Sequence, residues 1–292
     1  MQGKRLILPA ALVVLGFGLG ACGSTPTSPN SLSQQNADDI ALQAAGSLTS
    51  SSGGLMLELD AGRGSVPSNA ALQSRPGNSG GGTKHSLPVD SEARRLHPGD
   101  PMVATSPASA ETTFSVGSIT YTVMRSFYDA GGNELGGYGP TATRLRIVAS
   151  ASGSISTARW DATVGRSGIL DVSGIESGAD TLQFDGAGND TAQCHFLSYD
   201  GTRERYFYAL GGRSLEAVRL LKDRQANPYP LSGKARWAWT VDRLRSNNRE
   251  DVEVHLTALV MVTFNGTADP EIVIDGTYHY HVNLTTGVVT RA

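Results

Sequence analysis

No basic run occurs in this chain, and 24 Lys+Arg against 27 Asp+Glu leave it mildly acidic, with a formal charge of −3. That excludes the electrostatic footprint nucleic acid requires. It also excludes a polybasic patch for anionic lipid headgroups. No stretch beyond residue 22 is apolar for long enough to cross a bilayer. Helical periodicity is missing after Glu111, so parallel β-α-β units are not expected. Between Gly23 and Ala110 even the material for a core is thin. Ser, Gly, Pro, Ala and Asn dominate there, and such a stretch cannot bury enough apolar surface to offset its ordering entropy.

What is present begins at the N-terminus. Lys4 and Arg5 precede an apolar run from Leu6 to Gly20, and the run closes in Leu19-Gly20-Ala21-Cys22. The charge and length are those of a secretory signal, too short for a spanning helix. Residues 1–21 with Cys22 resemble the signal peptide and lipobox of bacterial lipoproteins. The resemblance implies cleavage before Cys22 and acyl chains (diacylglyceryl, palmitate-type) on its thiol. It further implies a cell-envelope membrane location. Gly23 follows the cysteine where Asp would imply inner-membrane retention, so outer-membrane delivery is the expectation. Losing Lys4 and Arg5 takes the net charge from −3 to about −5. The resemblance covers only the first 23 or so residues and leaves the globular part undescribed.

Cysteine is scarce: Cys22 and Cys194 are the two in the chain. With Cys22 lipidated, Cys194 stands alone and no intrachain disulfide is expected. Cys194 shares a strand face with Ala192 and Phe196, whereas neighbouring His195 points the other way. A buried, inert thiol is expected, not a Cys-His dyad.

Three segments follow: the signal peptide 1–21, a lipidated cysteine and low-complexity tether 22–110, and a globular domain 111–292. Within the tether, residues 36–46 have helical spacing, with Asn36 as N-cap, Asp38 and Asp39 in the first turn and Gly46 as the stop. Gly54 to Asp60 alternates Leu55, Leu57 and Leu59, which predicts a short added strand. The remainder would span about 50 Å as a flexible linker. From Glu111 on, runs rich in Val, Ile, Thr, Tyr and Phe alternate between Gly, Asp and Asn turns. Strands are expected near 112–128, 141–150, 154–164, 168–175, 179–185, 190–199, 203–210, 214–221, 234–245, 250–264, 271–284 and 287–291. The fold class is all-β: an antiparallel meander forming a sandwich or a curved, barrel-like sheet.

Two similar segments, Tyr128 to Glu134 and Phe184 to Asp190, each place Asp, small residues and Gly-Asn before an acid. Neither has the alternating carboxylates of an EF-hand loop, and both are expected as bulged hairpin turns. Gly77 to Gly81 formally fits Gly-x-Ser-x-Gly, but a nucleophile elbow needs a strand before it and a helix after it. The Asn-x-Thr sequons at Asn189, Asn265 and Asn283 are read as turn and strand residues.

One polar constellation passes a parity check. His255 and Glu253 lie on the polar face of one predicted strand, and His279 and His281 lie on that of the next. A register pairing 264 with 272 would set His255 opposite His281. Imidazole with carboxylate suits zinc or another transition metal; the alternative is a plain solvent-facing surface. Trp237 and Trp239 share a face with Val241. They would contact a ligand if exposed, and form an inward sheet face otherwise.

The leading expectation is a lipid-anchored envelope protein whose β domain binds or scaffolds an envelope partner without catalysis. The alternative is a carrier or chaperone of hydrophobic ligands on a curved sheet, and envelope lipoprotein-carrier proteins are similar to that in broad architecture. A metal-dependent hydrolase on the histidine face is the third reading.

Overall fold

The computed structural model describes residues 32–49, 54–66, 111–156, 160–197, 203–247 and 251–292. Cys22 and the Gly77 to Gly81 segment lie outside them. Leu32 to Ala292 form one compact unit, so the folded part starts well before Glu111. Two helices open it: α1 (Gln34–Leu48) and α2 (Leu55–Gly64). Twelve strands follow: β1 (Glu111–Val116), β2 (Ile119–Tyr128), β3 (Glu134–Leu135), β4 (Arg144–Ser156), β5 (Trp160–Ser173), β6 (Thr181–Leu197), β7 (Arg203–Leu221), β8 (Ser232–Asn247), β9 (Asp251–Thr263), β10 (Glu271–Ile274), β11 (Tyr278–Val282) and β12 (Val289–Arg291).

All pairings are antiparallel and nearest-neighbour, in the order β1-β2-β4-β5-β6-β7-β8-β9-β10-β11-β12, with β3 beside the end of β2. The expected antiparallel meander is therefore present as one open sheet, and among the described residues no second sheet packs on it as in a sandwich. Alternation along the strands sends one side chain in two to the core. Even positions of β5 and β6 (Val164, Leu170, Val172, Leu182, Phe184) are buried, as are Ala235, Trp237, Trp239 and Val241 of β8.

The sheet curls around α1. That helix reaches β12 through Asp38 and Arg291, and β5 through the Gly46 carbonyl, which accepts from Arg166 at 3.0 Å. Eight helical residues span about 12 Å, whereas β5 to β12 laid flat would span about 34 Å. The helix consequently fills the inside of the curl. Ile40, Ala41, Ala44 and Leu48 have no solvent exposure, and Leu42 faces out.

Local chemistry explains the helix ends. Ser33, not Asn36, caps α1 by accepting from the Asn36 N–H at 3.2 Å. The helix passes through Gly46 and ends at Leu48, because packing on the sheet outweighs the roughly 1 kcal/mol glycine penalty. Of residues 54–60, expected as a strand, Gly54 is the N-cap of α2 and the rest are helical. Leu55 and Leu59 are separated by one helical turn, so both bury on one face while Leu57 lies only partly buried. Glu58 in the first turn and Arg63 in the last also suit the helix dipole.

Other boundaries moved for one reason. The turn expected at Phe184 to Asp190 is the middle of β6, interrupted only by a bulge between Phe184 and Gly186 on the β7 side. Its glycines serve close approach, since a Cβ on Gly186 or Gly188 would sit 2.3 Å from a carbonyl oxygen of β5. The predicted strands 179–185 and 190–199 merge into β6, and 203–210 and 214–221 merge into β7, whose ladder to β8 is interrupted further on by a bulge between Glu216 and Arg219. The Tyr128 to Glu134 segment is a true hairpin turn. Asp129 Oδ1 accepts from the Asn133 N–H at 2.9 Å, and Gly132 takes φ +81°.

The N-terminal part of α1 is pinned to the end of the sheet by an acid-sensitive contact. Asp38 accepts from Arg291, from the Tyr280 hydroxyl at 2.9 Å and from Gln34 at 3.1 Å. The Arg291 hydrogen bond, opposed by partial burial, holds the Asp38 carboxyl below the ordinary carboxylate range. A carboxyl lowered in the folded state contributes stability that is present above its unfolded value of about 4 and lost as pH falls through the folded value. Hydrogen exchange of the α1 amides should accelerate below about pH 4. Asp38→Asn should remove most of that acid step; an unchanged step would place the sensitivity elsewhere.

Candidate functional site

The inner face carries a polar island beneath α2. Arg213 of β7 donates to Glu58 Oε1 at 3.1 Å and to Oε2 at 2.7 Å, and its guanidinium has no solvent exposure. Asp190 of β6 lies 3.7 Å from the same guanidinium, and its other oxygen accepts from the Trp237 indole N–H at 2.6 Å. Gly168, Gly188, Arg213 and Trp237 form one cross-strand row. A Cβ on Gly168 would stand 3.0 Å from Arg213 Nη2, so the glycine leaves space for the guanidinium. Burial works against the Arg213 charge, but Glu58 and Asp190 outweigh it and hold its pKa above the ordinary value. Burial likewise pushes the Tyr121 phenol up to about 12. Glu58, Asp190 and Arg213 are all buried, so the island is a set of structural ion pairs in the interior.

Trp237 and Trp239 belong to this interior, at 0% and 2% exposure, with ring centroids 6.1 Å apart. The possibility that they contact a ligand is corrected: they form the inward face. Cys194 is also buried and donates to Gln43 Oε1 of α1 at 3.0 Å. His195 points the other way and stacks on Tyr206 at 4.5 Å, so the two do not form a dyad.

The histidines do not converge. Glu271 of β10 pairs with Thr263 on one side and with His281 on the other, so β10 separates β9 from β11. His255 therefore lies roughly 27 Å along β9 from the level of His281. The expected register failed because 271–284 is a hairpin with its own turn at Asp275 to Thr277, not one strand. His255 pairs instead with Asp242 across the β8–β9 ladder at 2.7 Å, and His279 with Glu271 at 2.8 Å. Among the described residues no three His, Cys, Asp or Glu side chains could hold a metal ion. Glu253 lies on β9 opposite Leu244.

The outer face is different in kind. One cross-strand row reads Thr122, Ser150, Ser167, Asn189, Gly212, Ala238. The adjacent row reads Thr120, Ser152, Gly165, Thr191, Leu210, Thr240. Neither contains a charged residue. The row on the other side begins Met124, Val148, Ile169, which are 39%, 39% and 46% exposed. That row continues through Ala187 and Ser214 to Arg236, which pairs with Glu216, and further charge lies along the strands in the Arg146–Asp171 and His255–Asp242 pairs. An uncharged band thus crosses the sheet from β2 to β8. At its β2–β6 end the band sinks into a groove of about 320 Å³, floored near Gly165 and lined by the hydroxyls of both rows.

These residues escape a local reading because each strand contributes only two of them, separated by 13 to 28 positions from the next pair. Their common signal, Ser or Thr on the polar parity of successive strands, becomes visible only once register is known.

Fold and face together define the class: an antiparallel sheet curled on two helices, filled within, with an uncharged, grooved band on its outer face. The chain matches no protein-family model, no curated protein and no solved structure.

Proposed function

We propose that this chain is a lipid-anchored protein of the bacterial cell envelope, attached through Cys22 and directed to the outer membrane. Its β domain is a non-enzymatic binding module, and the outer sheet face is its recognition surface. The observation that carries the reading is the uncharged band from β2 to β8 with exposed Met124, Val148 and Ile169 beside it. Exposed apolar groups collected on one face mark a surface that something covers. The inner face favours this over carriage of hydrophobic molecules. A carrier needs an apolar cavity, and the inside of this curl is occupied by α1, α2 and buried ion pairs.

The anchor is tested by Cys22→Ser in a bacterial host, followed by fractionation and intact mass. The unsubstituted protein should partition with membranes and carry acyl mass. The variant should be released as a folded soluble protein, because one acylated cysteine is the only attachment. A variant that stays in the membrane fraction would remove the anchor from this reading.

A further inference from the structure

We infer that the groove at the β2–β6 end of the outer face binds an uncharged glycan. This rests on the reading of that face as the recognition surface and names the ligand class. The lining chemistry comes first. Thr120, Thr122, Ser150, Ser152, Ser167 and Thr191 bring hydroxyls to one concavity from four strands. A hydroxyl donates one hydrogen bond and accepts up to two, so it complements sugar hydroxyls; Thr191, which donates to the Gly165 carbonyl at 3.1 Å, and Thr120 and Thr122, beside Ser115 and Thr113, retain acceptor capacity. Asn189 adds an amide with both functions.

Charge argues the same way. The groove has no carboxylate for a cationic ligand. The one cationic residue at its wall, Arg166, is 5% exposed and donates to the Gly46 carbonyl on the inner side. An anionic sugar or a phosphate would therefore be desolvated without a partner, at a penalty an uncharged ligand escapes.

Shape and rim complete the case. At about 320 Å³ the groove lies at the low end of the range of about 300–1,000 Å³ for small-ligand sites. It continues outward into the uncharged band, so it suits a few rings of a longer chain. The band's apolar row of Met124, Val148 and Ile169 offers contact to the C–H faces of pyranose rings, while the hydroxyl rows meet their edges. Gly165 makes the floor, since a Cβ there would stand 2.7 Å from Thr191 Oγ1. A protein partner is disfavoured by composition. Protein interfaces are depleted in Ser and enriched in aromatics, Met and Arg, and this groove is built of Ser and Thr.

The test uses the detergent-solubilised full chain on an array of uncharged gluco-, manno-, galacto- and N-acetylglucosamine oligosaccharides. Sulfated, phosphorylated and uronic-acid counterparts serve as the charged arm, and calorimetry follows any hit. At least one uncharged oligosaccharide should bind. Ser150→Trp, which fills the groove from an exposed strand position, should weaken it more than tenfold. Thr122→Val keeps size and strand preference while removing one hydroxyl, and should weaken binding about fivefold with unchanged thermal unfolding. Thr257→Trp, on the same face but outside the groove, should leave binding intact. The inference is overturned by binding confined to the charged arm, by binding that ignores both groove variants, or by no binding at all. A photo-crosslinker at Ser150 separates the underlying reading: crosslinks to an envelope protein without any glycan binding would sink the ligand class and keep the recognition face. Neither glycan binding nor crosslinks would end both.

Discussion

Replacing Glu58 with Ala should lower the unfolding free energy by about 3–5 kcal/mol, the usual result of stripping one partner from a buried ion pair. The guanidinium left behind is wholly buried, and its remaining neighbour is Asp190 at 3.7 Å. No other described carboxylate is within salt-bridge distance of Arg213, so the charge would have to be hydrated by opening α2 from the sheet. The effect should therefore extend to the Arg63 donations to the Asn227 and Pro228 carbonyls and to the Arg125–Ser65 contact, which hold the same helix. For a domain of this size each kcal/mol moves the thermal midpoint by about 2–4 °C. Chemical unfolding of Glu58→Ala, Arg213→Met and Glu58→Leu/Arg213→Met would measure the coupling. The double variant should recover most of the loss, because both buried charges are gone and apolar groups of similar volume fill the site. If Glu58→Ala costs under 1 kcal/mol, α2 does not seal the inner face as described.

Trp237→Ala should cost a similar 3–5 kcal/mol for a different reason. It removes the largest fully buried side chain and opens a cavity between β8 and its neighbours. It also deprives Asp190 of its 2.6 Å donor, adding the penalty of an unsatisfied buried carboxylate oxygen. Trp237→Phe separates these terms. It fills most of the space but cannot donate, so its loss reports the hydrogen bond with a smaller cavity contribution. A Phe variant as stable as the unsubstituted protein would mean that the indole N–H contributes packing alone. Asp190→Asn should be milder than Trp237→Ala, since the amide oxygen still accepts from the indole.

The outcomes along the chain show where residue patterns suffice. Parity held almost everywhere after Glu111. Cys194 is buried with Ala192, His195 points away, and Trp237, Trp239 and Val241 form one inward face. The reversal at Asp129 to Asn133 was also legible, because an Asx turn closes on its own backbone. The Asp185 to Asp190 segment has nearly the same composition and is a strand. Its glycines answer to the close approach of the β5 backbone, which belongs to another strand. The histidine cluster failed likewise: three residues of correct parity were assigned a register that the Asp275 to Thr277 turn overrules. The Leu55, Leu57, Leu59 alternation is the converse error. Five residues of period two are also compatible with a helix that buries Leu55 and Leu59.

Alternation of apolar and polar side chains, a strictly local property, by itself determined that this is an all-β antiparallel protein and which residues face its core. A strand's two faces are set by the backbone within each strand, so they need no knowledge of the neighbours. Only the tertiary structure decided that α1 and α2 fill the curl, that Glu58, Arg213, Asp190 and Trp237 meet beneath them, and that hydroxyls from four strands line one groove. Those features depend on register and on the bulges and close approaches that set it. Register is a relation between distant segments, and no single segment contains it.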